Sequence, residues 1–216
     1  FGVLGHGFDR LMDRIESLLA EIYTEQKMRR EYEYKLLQAQ VNPHFLYNTI
    51  ETFISLVTLD MKNEAIVSAK NLASFYRITL SKGKDLISVR EEMQLIQAYL
   101  AIQKQRYGEY IEFEIEFSEA MVCYKIPKLT LQPLVENSIY HGLKPKGQKG
   151  KLAVTGYHRE DKLVFTVFDD GIGMTQDRIR KIKSSNDYSD NGSFGLMSVD
   201  ARIKLLFGQE DRKSVV

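Results

Sequence analysis

One cysteine, Cys123, stands alone in 216 residues, so no internal disulfide can form and a reducing compartment is expected. Cys and His do not recur at metal-ligand spacing. No apolar run approaches the roughly 18 residues that a membrane-crossing helix needs. An excess of one charge is missing too. The 30 Lys and Arg are matched by 29 Asp and Glu, a net +1 that provides no bulk field for nucleic acid or an anionic membrane. Four Pro and 14 Gly are too few to suggest disorder. The opening F-G-V-L-G-H-G-F-D-R has neither the charged n-region nor the apolar core of a signal peptide, and no initiator Met. The chain is therefore expected to be a fragment of something longer. What is present, 44% hydrophobic and 27% charged residues, suits a globular protein of one or two domains.

The first half reads as helix. Phe8, Leu11, Ile15, Leu18 and Ile22 are spaced 3-4-3-4, the seam of a short coiled coil or bundle. A charge-dense stretch from Tyr23 to Tyr34 continues the same helix, which runs through Leu36, Leu37 and Val41 and ends near Asp60. A second helix covers Asn63 to Ser81, with Ile66, Ala69, Leu72, Ala73, Tyr76 and Leu80 as its buried stripe and Gly83 as the stop. A hairpin with one apolar stripe per helix cannot bury both stripes alone. Two copies in a four-helix bundle would, so a homodimer through residues about 36 to 81 is expected. Ser88 opens a third helix, S-V-R-E fitting a capping box, and the helix continues to Tyr107-Gly108.

At Tyr110 the period changes to that of an α+β half. I-E-F-E-I-E-F alternates strictly from Ile111 to Phe117, a half-buried strand. Ile126 to Leu143 is helical from Leu129, with Pro133 in its first turns and Gly142 closing it. Lys151 to Tyr157 and Lys162 to Phe168 are strands joined by H-R-E-D, and V-F-T-V-F predicts a central strand. A short helix covers Thr175 to Lys183. A polar stretch, Ser184 to Ser193, has the character of a mobile lid. Gly195 opens a last amphipathic helix closed by Gly208.

Two sets of residues carry chemistry. At about 100° per residue, Gln40, His44, Asn48, Glu51 and Ser55 share one helical stripe, with Leu46, Ile50, Phe53 and Val57 roughly opposite. An imidazole facing water is a nucleophile near pH 7, so His44 is a candidate phospho-acceptor if a phosphate donor lies elsewhere. Pro43 beside it would kink the helix. The second set can hold a nucleotide. Asp169 ends an apolar strand and is followed by Gly171 and Gly173; its carboxylate can accept the amine of adenine while the glycines admit the ligand. Glu136 and Asn137 sit on a helix, the amide oxygen suiting Mg²⁺ and the carboxylate able to orient water. Gly195 lies at a helix N-terminus, where free N–H groups favour phosphate.

E-N-S-I-Y-H-G, D-D-G-I-G-M and F-G-L-M-S-V-D-A-R-I resemble the N-box, first glycine box and second glycine box of the ATP-binding fold shared by histidine kinases, gyrase-type ATPases, Hsp90 and MutL. Q-V-N-P-H-F-L-Y-N-T-I-E resembles the H-box of the LytS/YesM-like sensor histidine kinases, and residues 1 to about 24 resemble the second helix of a HAMP linker. The resemblance implies an α then α+β chain. Residues 1–24 would be a HAMP-like signalling helix. Residues 25–87 would be a helical hairpin forming a dimeric four-helix bundle for dimerisation and histidine phosphotransfer. Residues 88–216 would be an α/β-sandwich ATP-binding domain of the GHKL (Bergerat) type, expected to be incomplete because the tail Q-E-D-R-K-S-V-V does not look like its closing strands. By the same resemblance His44 is the phospho-accepting histidine, with Asn48 one turn away positioning water, and Asn137 is the Mg²⁺ ligand with Glu136 its acidic neighbour. Asp169 contacts adenine, Gly171 and Gly173 shape that wall, and His141, Gly195 and Leu196 complete the ATP site.

The implied activity is that of a two-component kinase, autophosphorylating His44 from ATP·Mg²⁺ and passing the group to an aspartate of a response-regulator receiver domain. Membrane attachment would come only through an upstream segment, this portion being cytoplasmic. Three positions depart from the family pattern: Ser193 where a glycine is usual, Tyr140 where a basic residue is common (Lys144 or Lys146 being substitutes), and Phe45 where many kinases carry an acid. Glu51 is the nearest carboxylate along the His44 stripe. The alternatives are a non-catalytic signalling scaffold of the same fold and a plain ATPase clamp.

Overall fold

In the computed structural model the described residues are 12, 14–19, 21–26, 43–81, 86–160, 162–177, 179–180, 199 and 203. They fall into two compact units, residues 1–46 and 47–216. In the first unit residues 14–19 and 21–26 are helical, and Ile15, Leu18 and Ile22 are exposed, as an unpartnered seam would be. Phe8 and Leu11 lie outside the described residues, as do residues 27–42, through which a continuous helix was expected.

Helix α1 is described over Pro43–Thr58. It stops in a Schellman turn: Asp60 takes φ 58, Met61 N–H donates to Leu56 O at 2.9 Å and Asp60 N–H to Val57 O at 3.1 Å. Helix α2 spans Lys62–Thr79. The expected buried stripes need correction. On α1 the buried residues are Phe45, Thr49 and Leu56, whereas Ile50, Phe53 and Val57 are exposed. On α2 they are Ala65, Ser68, Phe75 and Thr79, whereas Ile66, Ala69, Ala73 and Leu80 are exposed. Each helix thus carries a second, open apolar stripe about a quarter-turn from the covered one. The physical reason for α2 is a neighbour the hydropathy pattern does not reveal. Its covered face packs on helix α3, Val89–Tyr107, with the Phe75 and Tyr99 rings 6.0 Å apart.

Strand β1, Leu86–Ser88, leads into α3. The capping box forms as expected: Ser88 Oγ accepts the Glu91 N–H and Glu91 Oε2 accepts the Ser88 N–H at 2.8 Å. Helix α3 ends at Gly108, and strand β2, Ile111–Phe117, alternates in burial as its sequence does. Strand β3, Lys125–Pro127, pairs antiparallel with β1. Helix α4 is Gln132–Asn137, with Pro133 in its first turn. It starts three residues later than expected, because Leu129 adopts a left-handed conformation at φ 62. Nor does Gly142 close it. The chain continues through a π-helical segment, Ser138–Leu143, and a last turn α5, Lys144–Lys146, to Gly147 at φ 68.

Strands β4, Gly150–Arg159, and β5, Lys162–Asp169, follow. The sheet order is β2-β4-β5, with β2 parallel to β4 and β4 antiparallel to β5. A parallel pair needs a long crossover, and here β3, α4 and the π segment supply it. Among the described residues β4 is the central strand and β5 lies at the edge, contrary to the expectation from V-F-T-V-F. Phe165 still earns its apolarity, packing with Phe117 and Leu163 on the buried Val89, Met121 and Ile126. The result is a helical region followed by an α/β domain with a mixed sheet.

Candidate functional site

Asp169 is the last residue of β5, opposite Leu152 of β4. Its Oδ1 accepts the Gly171 N–H at 3.0 Å, an Asx turn that reverses the chain away from the sheet. Gly171 lies directly on Gly142: a Cβ there would overlap the backbone of Gly142, whose carbonyl accepts the Ile172 N–H at 3.1 Å. A Cβ on Gly142 would in turn stand 2.5 Å from Asp169 Oδ1. The two glycines therefore press the D-x-G-x-G turn onto the segment that follows Glu136 and Asn137. Gly173 takes φ 70 with open space around it.

The neighbouring carboxylate, Asp170, does something else. Its Oδ1 accepts the Lys151 N–H at 2.8 Å and pairs with Lys146 Nζ at 3.0 Å. The Lys151 amide first, then Lys146, hold its carboxyl below the usual value. Lys146, a substitute for the missing N-box cation by sequence, is thus engaged with Asp170. Lys144 Nζ lies 5.7 Å over the Tyr140 ring. Sequence reasoning missed Asp170; the doubled D-D at a strand end was the available signal.

Glu136 and Asn137 are half-buried at the end of α4, and His141 is exposed on the π segment. A π-helical turn inside a helix frequently marks a functional site. Asn137 Nδ2 is buried without a hydrogen-bond partner among the described residues. Behind Glu136 lies the wholly buried Tyr99. Burial, then the charge of Glu136, push its hydroxyl well above its ordinary pKa, with a Gln103 hydrogen bond acting against them. Burial likewise raises Tyr140, against a Gln103 hydrogen bond.

A carboxylate turned by its own backbone and a glycine pair that admits no side chain suit the close approach of a nucleotide base. No group of three or more His, Cys, Asp or Glu among the described residues could hold a metal by itself. On Asn137 the atom of the right kind for a hard cation is Oδ1, the unpartnered Nδ2 being a donor. Gly195, Leu196 and residues 184–193, expected to form a lid, lie outside the described residues.

His44 is exposed on α1, with Glu51 and Ser55 exposed and Asn48 half-buried along its stripe. The Asn48 carbonyl accepts Thr52 Oγ1 and the Glu51 carbonyl accepts Ser55 Oγ, both at 2.9 Å.

Comparison with known proteins agrees with the sequence motifs. The family described as histidine kinase matches residues 32–111, and that described as histidine kinase-, DNA gyrase B- and HSP90-like ATPase matches residues 125–215. Sensor histidine kinase YesM of Bacillus subtilis is 32% identical over 96% of this chain and 35% of its own length. Sensor protein LytS of Staphylococcus saprophyticus is 32% identical over 89% and 33%. Sensor histidine kinase BtsS of Escherichia coli is 30% identical over 96% and 35%. A solved bacterial phosphotransferase overlays with a TM-score of 0.49 at 14% identity, covering 79% of this chain and 85% of its own; nothing further rests on that likeness. The chain spans about a third of the length of these curated relatives. No helix among the described residues is long and apolar enough to cross a membrane. With the two family matches spanning most of its length and an ATP-binding domain following the histidine-bearing region, the chain belongs to the sensor histidine kinase family.

Proposed function

We propose that this chain is the kinase core of a two-component sensor. It would transfer the γ-phosphoryl group of ATP to His44 and pass it to an aspartate of a response-regulator receiver domain. The observation that carries this reading is the contact of Gly171 with Gly142, which sets Asp169 against the segment that follows Glu136 and Asn137. In the step proposed, an imidazole nitrogen of His44 attacks the γ-phosphorus. The N–P bond forms as the bond to the β–γ bridging oxygen breaks, and ADP leaves. Mg²⁺, when bound, neutralises charge on the phosphates. Asn137 would hold the metal, Asp169 would orient the base, and Glu136 would be the carboxylate available to the imidazole proton. In this reading the nucleotide-binding body swings so that the γ-phosphorus meets a nitrogen of His44, and positioning supplies much of the rate. Asn48 would place water for removing phosphate from the regulator.

The open stripes of α1 and α2 support dimerisation. Ile50, Phe53, Val57, Ile66 and Ala69 present an apolar surface that a second hairpin would cover. The division into a signalling helix (1–24), a dimerisation and phosphotransfer hairpin (25–87) and an ATP-binding domain (88–216), with membrane attachment upstream, belongs to the same reading.

One observation favours the scaffold alternative: Lys146 is engaged by Asp170, which leaves Lys144 as the basic substitute beside Tyr140. The deciding experiment is a chase. Wild-type protein labelled from γ-labelled ATP should lose its label to a receiver domain, while His44→Gln takes up none. ATP binding without labelling supports the scaffold. Steady phosphate release unaffected by His44→Gln supports the ATPase clamp.

A further inference from the structure

Residues 128–131 join β3 to α4, and both of their attachments use buried charge. Glu92 of α3, fully buried, accepts the Leu129 N–H at 3.0 Å and the Leu131 N–H at 2.8 Å. It thereby fixes the left-handed Leu129 and the start of the helix that bears Glu136 and Asn137. Lys128, also buried, reaches the opposite way. Its Nζ donates to Thr79 O at 2.8 Å and Ser81 O at 3.3 Å, the carbonyls left over where α2 ends. One short segment thus ties the end of the hairpin to the beginning of the nucleotide helix.

The surface it holds shut is poorly satisfied. On the face that α2 turns to α3, Ser68 Oγ and Thr79 Oγ1 are buried with no hydrogen-bond partner among the described residues. Across from them, Gln105 donates Nε2 to Glu64 O at 3.1 Å while its own buried Oε1 has none. Buried polar atoms without partners favour opening, since water would satisfy them. Packing of Phe75 on Tyr99 and the Lys128 bonds oppose it.

We infer that Lys128, capping the end of α2 from the loop that Glu92 fixes to the nucleotide helix, is a releasable latch holding the nucleotide-binding body against the hairpin. Glu92 is the fixed half and Lys128 the half that lets go. The inference rests on the kinase reading, in which the nucleotide-binding body moves to bring the γ-phosphorus to His44 and releases α2 as it does so. The latch therefore sets the unstimulated rate.

The test measures His44 labelling from γ-labelled ATP, without stimulus, in the full-length protein. Lys128→Met should raise the rate about tenfold, the shift expected from losing a charge-assisted hydrogen bond. ATP affinity should stay within about twofold of wild type by the same account, and Lys128→Arg should restore the wild-type rate. A second measurement does not depend on that variant folding. In a Cys123→Ser background, Glu64→Cys and Gln105→Cys bridged by a bis-maleimide should bind ATP yet label at least about tenfold more slowly. An unchanged or lower rate in folded Lys128→Met, or normal labelling of the bridged protein, overturns the latch. Failure of the wild-type protein to label His44 overturns the kinase reading instead.

Discussion

A single methyl group at Gly142 tests whether Asp169 is the carboxylate that recognises the nucleotide base. The Cβ of Gly142→Ala would lie 2.5 Å from Asp169 Oδ1 and 3.0 Å from its Cγ. Ordinary contact needs roughly 3.5–4 Å, so the carboxylate must retreat by about 1 Å. Its bond to the Gly171 N–H, now 3.0 Å, would then be lost. A hydrogen bond to a charged group contributes about 1.5–3 kcal/mol, which predicts ATP binding weaker by about 10- to 100-fold. Alanine meanwhile gains about 0.5–1 kcal/mol over glycine inside a helix, which offsets part of that bond, so stability should fall by about 0.5–2.5 kcal/mol.

Calorimetric titration with ATP and Mg²⁺, beside a thermal melt, separates these effects. Gly171→Ala is the contrast. Its Cβ meets the backbone of Gly142 rather than a side chain. It should therefore lose about 2 kcal/mol of stability, a melting shift of about 4–8 °C, as well as affinity. Wild-type affinity in a folded Gly142→Ala whose melt is lowered as expected would show that the Asp169 carboxylate does not position the nucleotide.

Three further outcomes follow from the same geometry. Ser88→Ala removes one partner of the capping box and should cost about 1 kcal/mol, seen as a melting temperature lower by about 2–4 °C. Phe53→Glu places a charge on the open stripe of α1 and should give a monomer by sedimentation where wild type is a dimer; an unchanged dimer would refute that interface. Asp170→Asn should destabilise at neutral pH in a pH-dependent way. The fold depresses the Asp170 pKa, so its contribution is present above the unfolded value of about 3.9 and is lost as pH falls through the lower folded one. The difference in melting temperature from wild type should shrink across that acid range, and a constant difference would contradict the assignment.

Local signals were legible where local forces decide. The alternation of Ile111 to Phe117 became β2 over the same residues, and Ser88 with Glu91 formed its box. Long-range neighbours explain the failures. Helix α4 begins late because Glu92, some forty residues upstream, holds the N–H groups of Leu129 and Leu131, and nothing near Leu129 encodes that. Gly142 reads as a helix stop, yet it is small because Asp169 and Gly171 press on it. The buried face of α2, with Ser68 and Thr79 among its residues, is too polar for hydropathy to find. The more apolar stripe stayed open. At the candidate site, the motifs pointed to Asn137, Asp169 and Gly171, and the glycine contact brings the last two onto the segment that follows Asn137. The positions of Lys146, Asp170 and Lys128 needed the tertiary structure.

The central claim is that the exposed imidazole on α1 accepts phosphate from the nucleotide held near Asn137 and Asp169. Mapping the phosphorylated residue after incubation with γ-labelled ATP and Mg²⁺ tests it most directly. The account predicts a single acid-labile, base-stable phosphoryl group on His44, absent from His44→Gln and reduced in Asn137→Ala. Label found only on Ser or Asp, or persisting in His44→Gln, would contradict it.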